Sequence, residues 1–258
     1  MVYKVRRLQN NKDIDSLCKL FNALSLNLFP KSMKAIQQQL HPDFDLNNFY
    51  KFYNICSNCG AYDSNSMFKC KSCNDSLMFK FYLCSIKQQI QQLLSIFGFF
   101  TRLKEEKIKN INLFSNTKYG EILREIEVNA FTLMISVDGV STGNKNLSLW
   151  PFIMIFNELP IPERRYLENI LIAGIVPTEK KPTNHVVQSC LQLIYEQLLE
   201  LELGQEFFIN DLDQRAVINF YNVASCTDKP AEALMANVVP YNAEYGCPKC
   251  FHPGMYFH

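Results

Sequence analysis

The spacing of apolar residues along this chain changes from helical to near-continuous and back. Residues 13–29 put Ile14, Leu17, Cys18, Phe21 and Leu24 on one helical face, and Pro30 ends the pattern. A second helical stretch, 33–40, stops at Pro42. Residues 49–84 carry cysteines interleaved with aromatics and read as a small module. From 86 to 109, Ile86, Ile90, Leu93, Leu94 and Phe97 mark an amphipathic helix interrupted at Gly98, and 110–130 reads as a link.

The second half has a different rhythm. Continuous apolar runs predict strands at 131–137, 147–159 and 168–177, with Pro151 marking an edge or bend in the second. A long helix is expected over 185–203, closed by Gly204. A fourth strand follows at 214–226, and then a helix with Pro230 in its first turn. Short loops among the first three strands imply an antiparallel meander. The long helix can carry the chain across to lay the fourth strand parallel to the first. The fold class is therefore α+β or mixed α/β: an N-terminal helical segment (1–48), a zinc-ribbon-like module (49–84), a helical linker (85–130) and a mixed sheet with helices (131–258).

In that topology the first and fourth strands end side by side, each followed by an acid, Asp138 or Asp228. Side-by-side carboxylates repel unless a cation or a shared proton offsets their charge, and oxygen ligands of this kind suit Mg²⁺ or Mn²⁺. Two plainer readings stand beside this one. Asp138-Gly139 is ordinary turn chemistry, and a strand-end acid such as Asp228 often caps the next helix. Asp211, Asp213 and several glutamates are equally available as ligands.

Cysteine usage adds a second chemistry. The segment CSNCGAYDSNSMFKCKSC spaces Cys56, Cys59, Cys70 and Cys73 as C-x2-C-x10-C-x2-C, the two knuckles of a structural zinc site. Gly60 permits the tight turn that aims backbone amides at the sulfurs. A further group, Cys247, Cys250 and His252, offers half of another zinc site, with His258 as a candidate fourth ligand. Cys18, Cys84, Cys190 and Cys226 sit in apolar surroundings and read as core residues. His41 and His185 read as capping or surface residues, and Trp150 as core.

At 48% hydrophobic and 20% charged, the 258-residue chain can bury a substantial core. Net charge is +1, yet residues 1–130 carry 18 Lys/Arg against 11 Asp/Glu, and residues 131–258 carry 8 against 14. A basic front and an acidic back suit nucleic-acid contact by one and metal binding by the other, although two surfaces can also drift apart in charge without function. Lys69 and Lys71, with Tyr62 and Phe68 near them, are the candidate nucleic-acid contacts. No apolar run is long enough to span a bilayer, and the N-terminus lacks a signal peptide's apolar stretch. A cytoplasmic or nuclear protein, not a secreted one, is expected, with ten cysteines used for metal or burial rather than disulfides.

The strings DGVSTGNKNLSLWPFIMIFNELP, ENILIAGIVPTEKKP and CTDKPAEALMANVVPYNAEYGCPKCFHPG occur in order over residues 138–254. Together they resemble the transposase of CACTA-type (En/Spm-like) DNA transposons and its domesticated relatives, a likeness covering about residues 131–254. The resemblance implies a ribonuclease-H-like core of three strands, helix, strand and helix. It implies that Asp138 and Asp228 are the first two acids of a catalytic triad that binds Mg²⁺ for DNA strand cleavage and transfer. It also implies DNA as partner and the nucleus as location. The third acid of that pattern, a glutamate on a later helix, does not occur after Cys250. The expectation is thus a partial, truncated core, inactive alone, with an uncovered sheet edge that calls for self-association or a missing C-terminal segment. The competing expectation is a zinc-ribbon module that binds nucleic acid or protein without catalysis.

Overall fold

The structure is a computed structural model that describes residues 49–64, 69–141 and 148–239. The chain divides into two compact units, 1–49 and 50–258, and the second contains the sheet, its helices and both strand-end aspartates. The helices read at 13–29 and 33–40 lie outside the described residues.

Among the described residues nine strands form one mixed sheet: β1 (Tyr50–Cys56), β2 (Tyr62–Asp63), β3 (Met78–Cys84), β4 (Ala130–Val137), β5 (Val140–Ser141), β6 (Ser148–Phe156), β7 (Leu171–Thr178), β8 (Gln205–Ile209) and β9 (Gln214–Ser225). Their order across the sheet is β2-β1-β3-β7-β6-β4-β9-β8, with β5 paired to β6. The helices are α1 (Ile86–Leu94), α2 (Phe99–Leu113), α3 (Lys118–Glu125), α4 (Asn184–Glu202) and α5 (Lys229–Met235). The β4, β6 and β7 strands form the antiparallel meander expected from their short connections, and β9 returns parallel to β4.

Three features go beyond the pattern of the chain. The cysteine-bearing hairpin β1–β3 is continuous with the rest of the sheet, because β3 pairs with β7 through Tyr82↔Ile175 and Leu83↔Gly174. The stretch read as a link, 110–130, contains α3, capped by the Thr117 side chain. A short strand, β8, borders β9 and takes the sheet's outer position on that side. Its Phe208 N–H and C=O are both met by the side-chain amide of Gln91 on α1. Gln89 does the same for Ile172 of β7, so helix amides stand in for neighbouring strands where the ladder is open.

Gly98 splits the helix expected over 86–109 into α1 and α2. It adopts φ +85° at the start of α2, a conformation costly for any side chain. Asp211, from the turn between β8 and β9, accepts hydrogen bonds from the N–H groups of Gly98 and Thr101 and so caps α2 from a distance. The α4 helix buries Val186, Val187, Cys190, Leu193, Ile194, Leu198 and Leu201 as one stripe, begins on the Thr183 cap, and is followed by Gly204 at φ +90°. Aromatic rings fill the core under it. Phe220 contacts Phe131, Phe156 and Phe207, and Phe81 meets Phe152 edge to face. Gly174 is required where β7 passes Phe81, since a Cβ there would lie 2.3 Å from the ring.

A polar cluster is buried at the opposite end of β4 from Asp138. Glu158 accepts from the N–H (2.8 Å) and hydroxyl (2.7 Å) of Thr132 through one oxygen, while its other oxygen is buried with no hydrogen-bond partner among the described residues. Asn157 and Tyr119 bond the same Thr132 hydroxyl, and Lys107 donates to the carbonyls of Glu127 and Ala130. Cys84 and Cys190 are buried as expected, whereas Cys226 is exposed at the end of β9. Its place beyond the last paired residue, Ser225, puts it outside the core. No described helix is long and apolar enough to cross a membrane.

Candidate metal centres

Cys56 ends β1, Cys59 lies in the turn after it, and Cys70 and Cys73 occupy the turn before β3. The hairpin register, Cys56↔Met78 through Tyr50↔Cys84, brings the two turns together. All four sulfur atoms lie within 4.8 Å of one another. The Cys56–Cys73 and Cys59–Cys70 separations are both 3.5 Å. Four sulfurs about 2.3 Å from one Zn²⁺ at tetrahedral corners would be about 3.8 Å apart, so the donor set fits such an ion.

The two turns are built alike. Cys56 O accepts from Gly60 N and Cys56 N donates to Ala61 O; in the second turn Cys70 O accepts from Asn74 N and Cys70 N donates to Asp75 O. Gly60 (φ +72°) and Asn74 (φ +59°) occupy the same left-handed position. Asparagine tolerates that conformation better than most residues. Asn74 is therefore the counterpart of Gly60, and the sequence signal for it is its position directly after the second cysteine of its pair. Asp75 joins the turns by accepting from Leu77 N and from the Ser57 hydroxyl.

Electrostatics within the cluster are uneven. Backbone N–H groups of Cys73 and Ser72 draw the Cys70 thiol down to about 6. Burial raises that of Cys56. At Cys59 the backbone N–H of Ala61 favours the thiolate, but Cys70, desolvation and the other two sulfurs outweigh it and push the group up to about 12. Without a cation the set keeps protons that a metal must displace.

The N-terminal turns of α4 are bonded to this hairpin. Thr183 donates to Ser57 O (2.8 Å) and Ser189 to Gly60 O (2.7 Å). A Cβ at Gly60 would lie 2.8 Å from the Ser189 hydroxyl, a second reason for glycine there. His185 lies in the same turn of α4, its carbonyl accepting from Ser189. From the same helix the Gln188 amide donates to the carbonyls of Leu234 and Met235 at the end of α5.

Asp138 and Asp228 flank the other candidate centre. In the parallel β4–β9 ladder Ile135 is opposite Ser225, and each aspartate comes three residues later. Cys226 N still donates to Ile135 O, so the strands stay together up to the turns. Both side chains are exposed. Asp138 accepts from Gly139 N (2.7 Å) and Asp228 from Ala231 N (2.9 Å), the latter as the N-cap of α5. The turn and capping roles read from the sequence are thus both present. Each occupies one carboxylate oxygen, and among the described residues the second oxygen has no hydrogen-bond partner. No third His, Cys, Asp or Glu of the described residues joins them in a cluster. Asp211 and Asp213 sit in the β8–β9 turn, at the far end of β9, and do not compete.

Gly139 packs under Trp150, where a Cβ would meet the indole at 2.8 Å, and Val140 pairs with Leu149. Trp150 is partly buried against the core, as its sequence context suggested. Asp138-Gly139, Leu149-Trp150-Pro151 and Asp228 with its following Lys-Pro-Ala are therefore gathered at one end of the sheet.

Lys71 pairs with Asp63 at 3.2 Å, and Lys69 is exposed at the edge of the second turn. Tyr62 stacks edge to face on Tyr53. Phe68, Cys247, Cys250, His252 and His258 lie outside the described residues.

No curated protein matches the chain. Residues 44–258 match the family described as "Protein of unknown function (DUF1258)", a span that includes both candidate centres, and the chain belongs to that family.

Proposed function

We propose that this chain is a transposase-like protein of DNA-transposon origin, with a ribonuclease-H-like sheet whose Asp138 and Asp228 bind a divalent cation for phosphodiester chemistry. The observation that carries the reading is the parallel β4–β9 pairing, which sets the two aspartates equally far past neighbouring strands. The gathering of three transposase-like motifs at that same end supports it. Each aspartate has one oxygen held by a backbone N–H, which fixes the carboxylate and leaves the other oxygen for a metal. Mg²⁺ or Mn²⁺ there would polarise a phosphoryl oxygen and lower the pKa of a bound water. Among the described residues no third carboxylate joins the two, which leaves more of the cation's shell to solvent, so slow cleavage is expected.

In this reading the thiolate centre is a structural, zinc-ribbon-like device. Four sulfurs close the coordination sphere and leave no position for a substrate. Through Thr183 and Ser189 it holds the start of α4, the helix that also secures the end of α5.

The test is nicking of supercoiled plasmid with Mn²⁺ or Mg²⁺. Slow, metal-dependent nicking is expected, reduced at least tenfold in both Asp138→Asn and Asp228→Asn. Equal nicking by wild type and both variants would contradict the assignment. A non-catalytic reading draws on exposed Lys69 and Lys71, with Lys71's charge partly offset by Asp63. It predicts DNA binding that falls steeply with salt and is indifferent to the aspartate substitutions.

A further inference from the structure

A pocket of about 280 Å³ opens between α2, α3 and the segment 126–129 that leads into β4. That size is near the lower limit for small-molecule sites. Helical spacing puts Lys104, Lys107, Ile108 and Ile111 along one side of α2, where they form one wall. Leu123 and Arg124 of α3, with Ile126 and Val128, complete the lining. Its apolar groups are all aliphatic, and Ile108 (61% exposed) and Val128 (73% exposed) stand open at the surface.

The charged residues of this lining are all cations. Lys104, Lys107 and Arg124 form no ion pair among the described residues. Lys107 is buried and donates to Glu127 O (2.6 Å) and Ala130 O (2.8 Å), so carbonyl dipoles rather than a carboxylate hold its charge. Lys104, one turn earlier on the helix, repels it. Arg124 uses one N–H on Ser115 O (3.1 Å) and keeps others for a ligand. Nearby acids do not offset this charge. Glu121 pairs with Lys118 at 2.9 Å, Glu158 is buried and bonded to Thr132, and Glu127 attracts Lys107 from beyond ion-pair distance without lining the pocket. Like charges three residues apart on a helix are unfavourable, and an arriving anion relieves them.

We infer that this pocket binds a small amphipathic carboxylate, its chain against the aliphatic lining and its head between Lys104 and Arg124. Lys107 adds positive potential without giving up its carbonyl bonds. A neutral chain forgoes the charge-assisted hydrogen bonds, and an inorganic anion forgoes the apolar wall. The site lies at the end of β4 remote from Asp138 and depends on neither metal centre.

Octanoate is the probe. Octan-1-ol has the same chain without the charge, and inorganic phosphate has the charge without the chain. Calorimetry gives the affinities, and amide chemical shifts in the ¹⁵N-labelled full chain locate the site. Octanoate should bind saturably, shift the amides of Ile108, Ile126 and Val128, and bind about tenfold or more tightly than either control. Lys104→Gln and Arg124→Gln alter residues that are not buried, and each should weaken octanoate about tenfold while leaving octan-1-ol unchanged. No saturable octanoate binding to the wild-type protein would overturn the inference. Equal affinity for octan-1-ol would make the pocket merely apolar, and equal affinity for phosphate would make it a simple anion site; either would overturn it, and neither comparison needs a variant to fold. Shifts confined to other parts of the chain would overturn it as well.

Discussion

Replacing Cys70 with serine is expected to remove one zinc ion per chain and to cost more stability than any surface substitution in the molecule. The centre joins two turns that are otherwise linked by the bonds from Ser57 to Asp75 and Leu77, the exposed Lys71–Asp63 pair and the flanking strands. In isolated zinc modules the apparent binding free energy is about 10–16 kcal/mol at neutral pH, and it appears as folding free energy. Here the hairpin is also part of the larger sheet, so the loss is expected to be partial: β1, β2 and the start of α4 should open first. Native mass spectrometry gives the stoichiometry as the difference between wild type and variant. Hydrogen exchange should show lost protection at Gly60 and Asn74, whose N–H groups donate within the turns. The pH dependence has a defined sign. Metal binding needs four thiolates, and in the metal-free set Cys59 holds its proton up to about 12 whereas Cys70 releases one near 6. Binding therefore releases protons, and affinity should rise with pH and fall on acidification. Unchanged zinc content in Cys70→Ser, with Cys56, Cys59 and Cys73 intact, would exclude the centre as drawn.

The second large effect is expected at Glu158. Burial pushes its carboxyl up to about 7 from an ordinary value of 4.5, in spite of the two hydrogen bonds from Thr132 and the nearby Lys107 ammonium. The charged and titratable groups around it are Lys107 on α2 and Tyr119 on α3, with Arg164 close to Tyr119. The sign follows from proton counting. Between pH 4.5 and 7 the folded chain keeps a proton on Glu158 that the unfolded chain has released. Stability from this group is therefore greatest below pH 4.5, declines as pH rises to 7, and is level above it. At about 1.4 kcal/mol per pH unit the total decline is roughly 3 kcal/mol. Glu158→Gln keeps an oxygen for Thr132 and removes the titration, so its stability should be flatter over that window. Denaturant melts of both proteins between about pH 5 and 8 make the comparison. Parallel pH profiles for the two proteins would mean that Glu158 is not the source.

Much of the second half could be read from the chain because its elements are long and strongly patterned. The strand at Phe131–Val137 is apolar nearly throughout, and the helix 184–202 has a capping threonine, one buried stripe and a terminal glycine. The connection lengths then dictated the parallel return of β9. Short or polar elements escape such a reading. QEFFI of β8 is five residues long and follows α4 after only Leu203 and Gly204, and KYGEILRE of α3 has only Gly120 and Leu123 buried. The continuity of the cysteine hairpin with the main sheet is not legible either. It depends on two paired positions, Tyr82↔Ile175 and Leu83↔Gly174, far apart in sequence, and on the close fit of Phe81 over Gly174.

The candidate sites divide in the same way. Cysteine spacing is a local code, and the four sulfurs of Cys56, Cys59, Cys70 and Cys73 do converge. Asn74 is harder to single out because asparagine announces a left-handed turn less clearly than glycine.

Trp150 offers a direct view of the strand-end aspartates, since it is the chain's single tryptophan and its ring covers Gly139, next to Asp138. A titration with Mn²⁺, which quenches nearby indole fluorescence, should give saturable quenching in the wild-type protein. Asp138→Asn and Asp228→Asn should each abolish it while leaving the unquenched spectrum unchanged. Quenching of equal depth and midpoint in all three proteins, or no saturable quenching of the wild type, would mean that the two carboxylates do not share a cation.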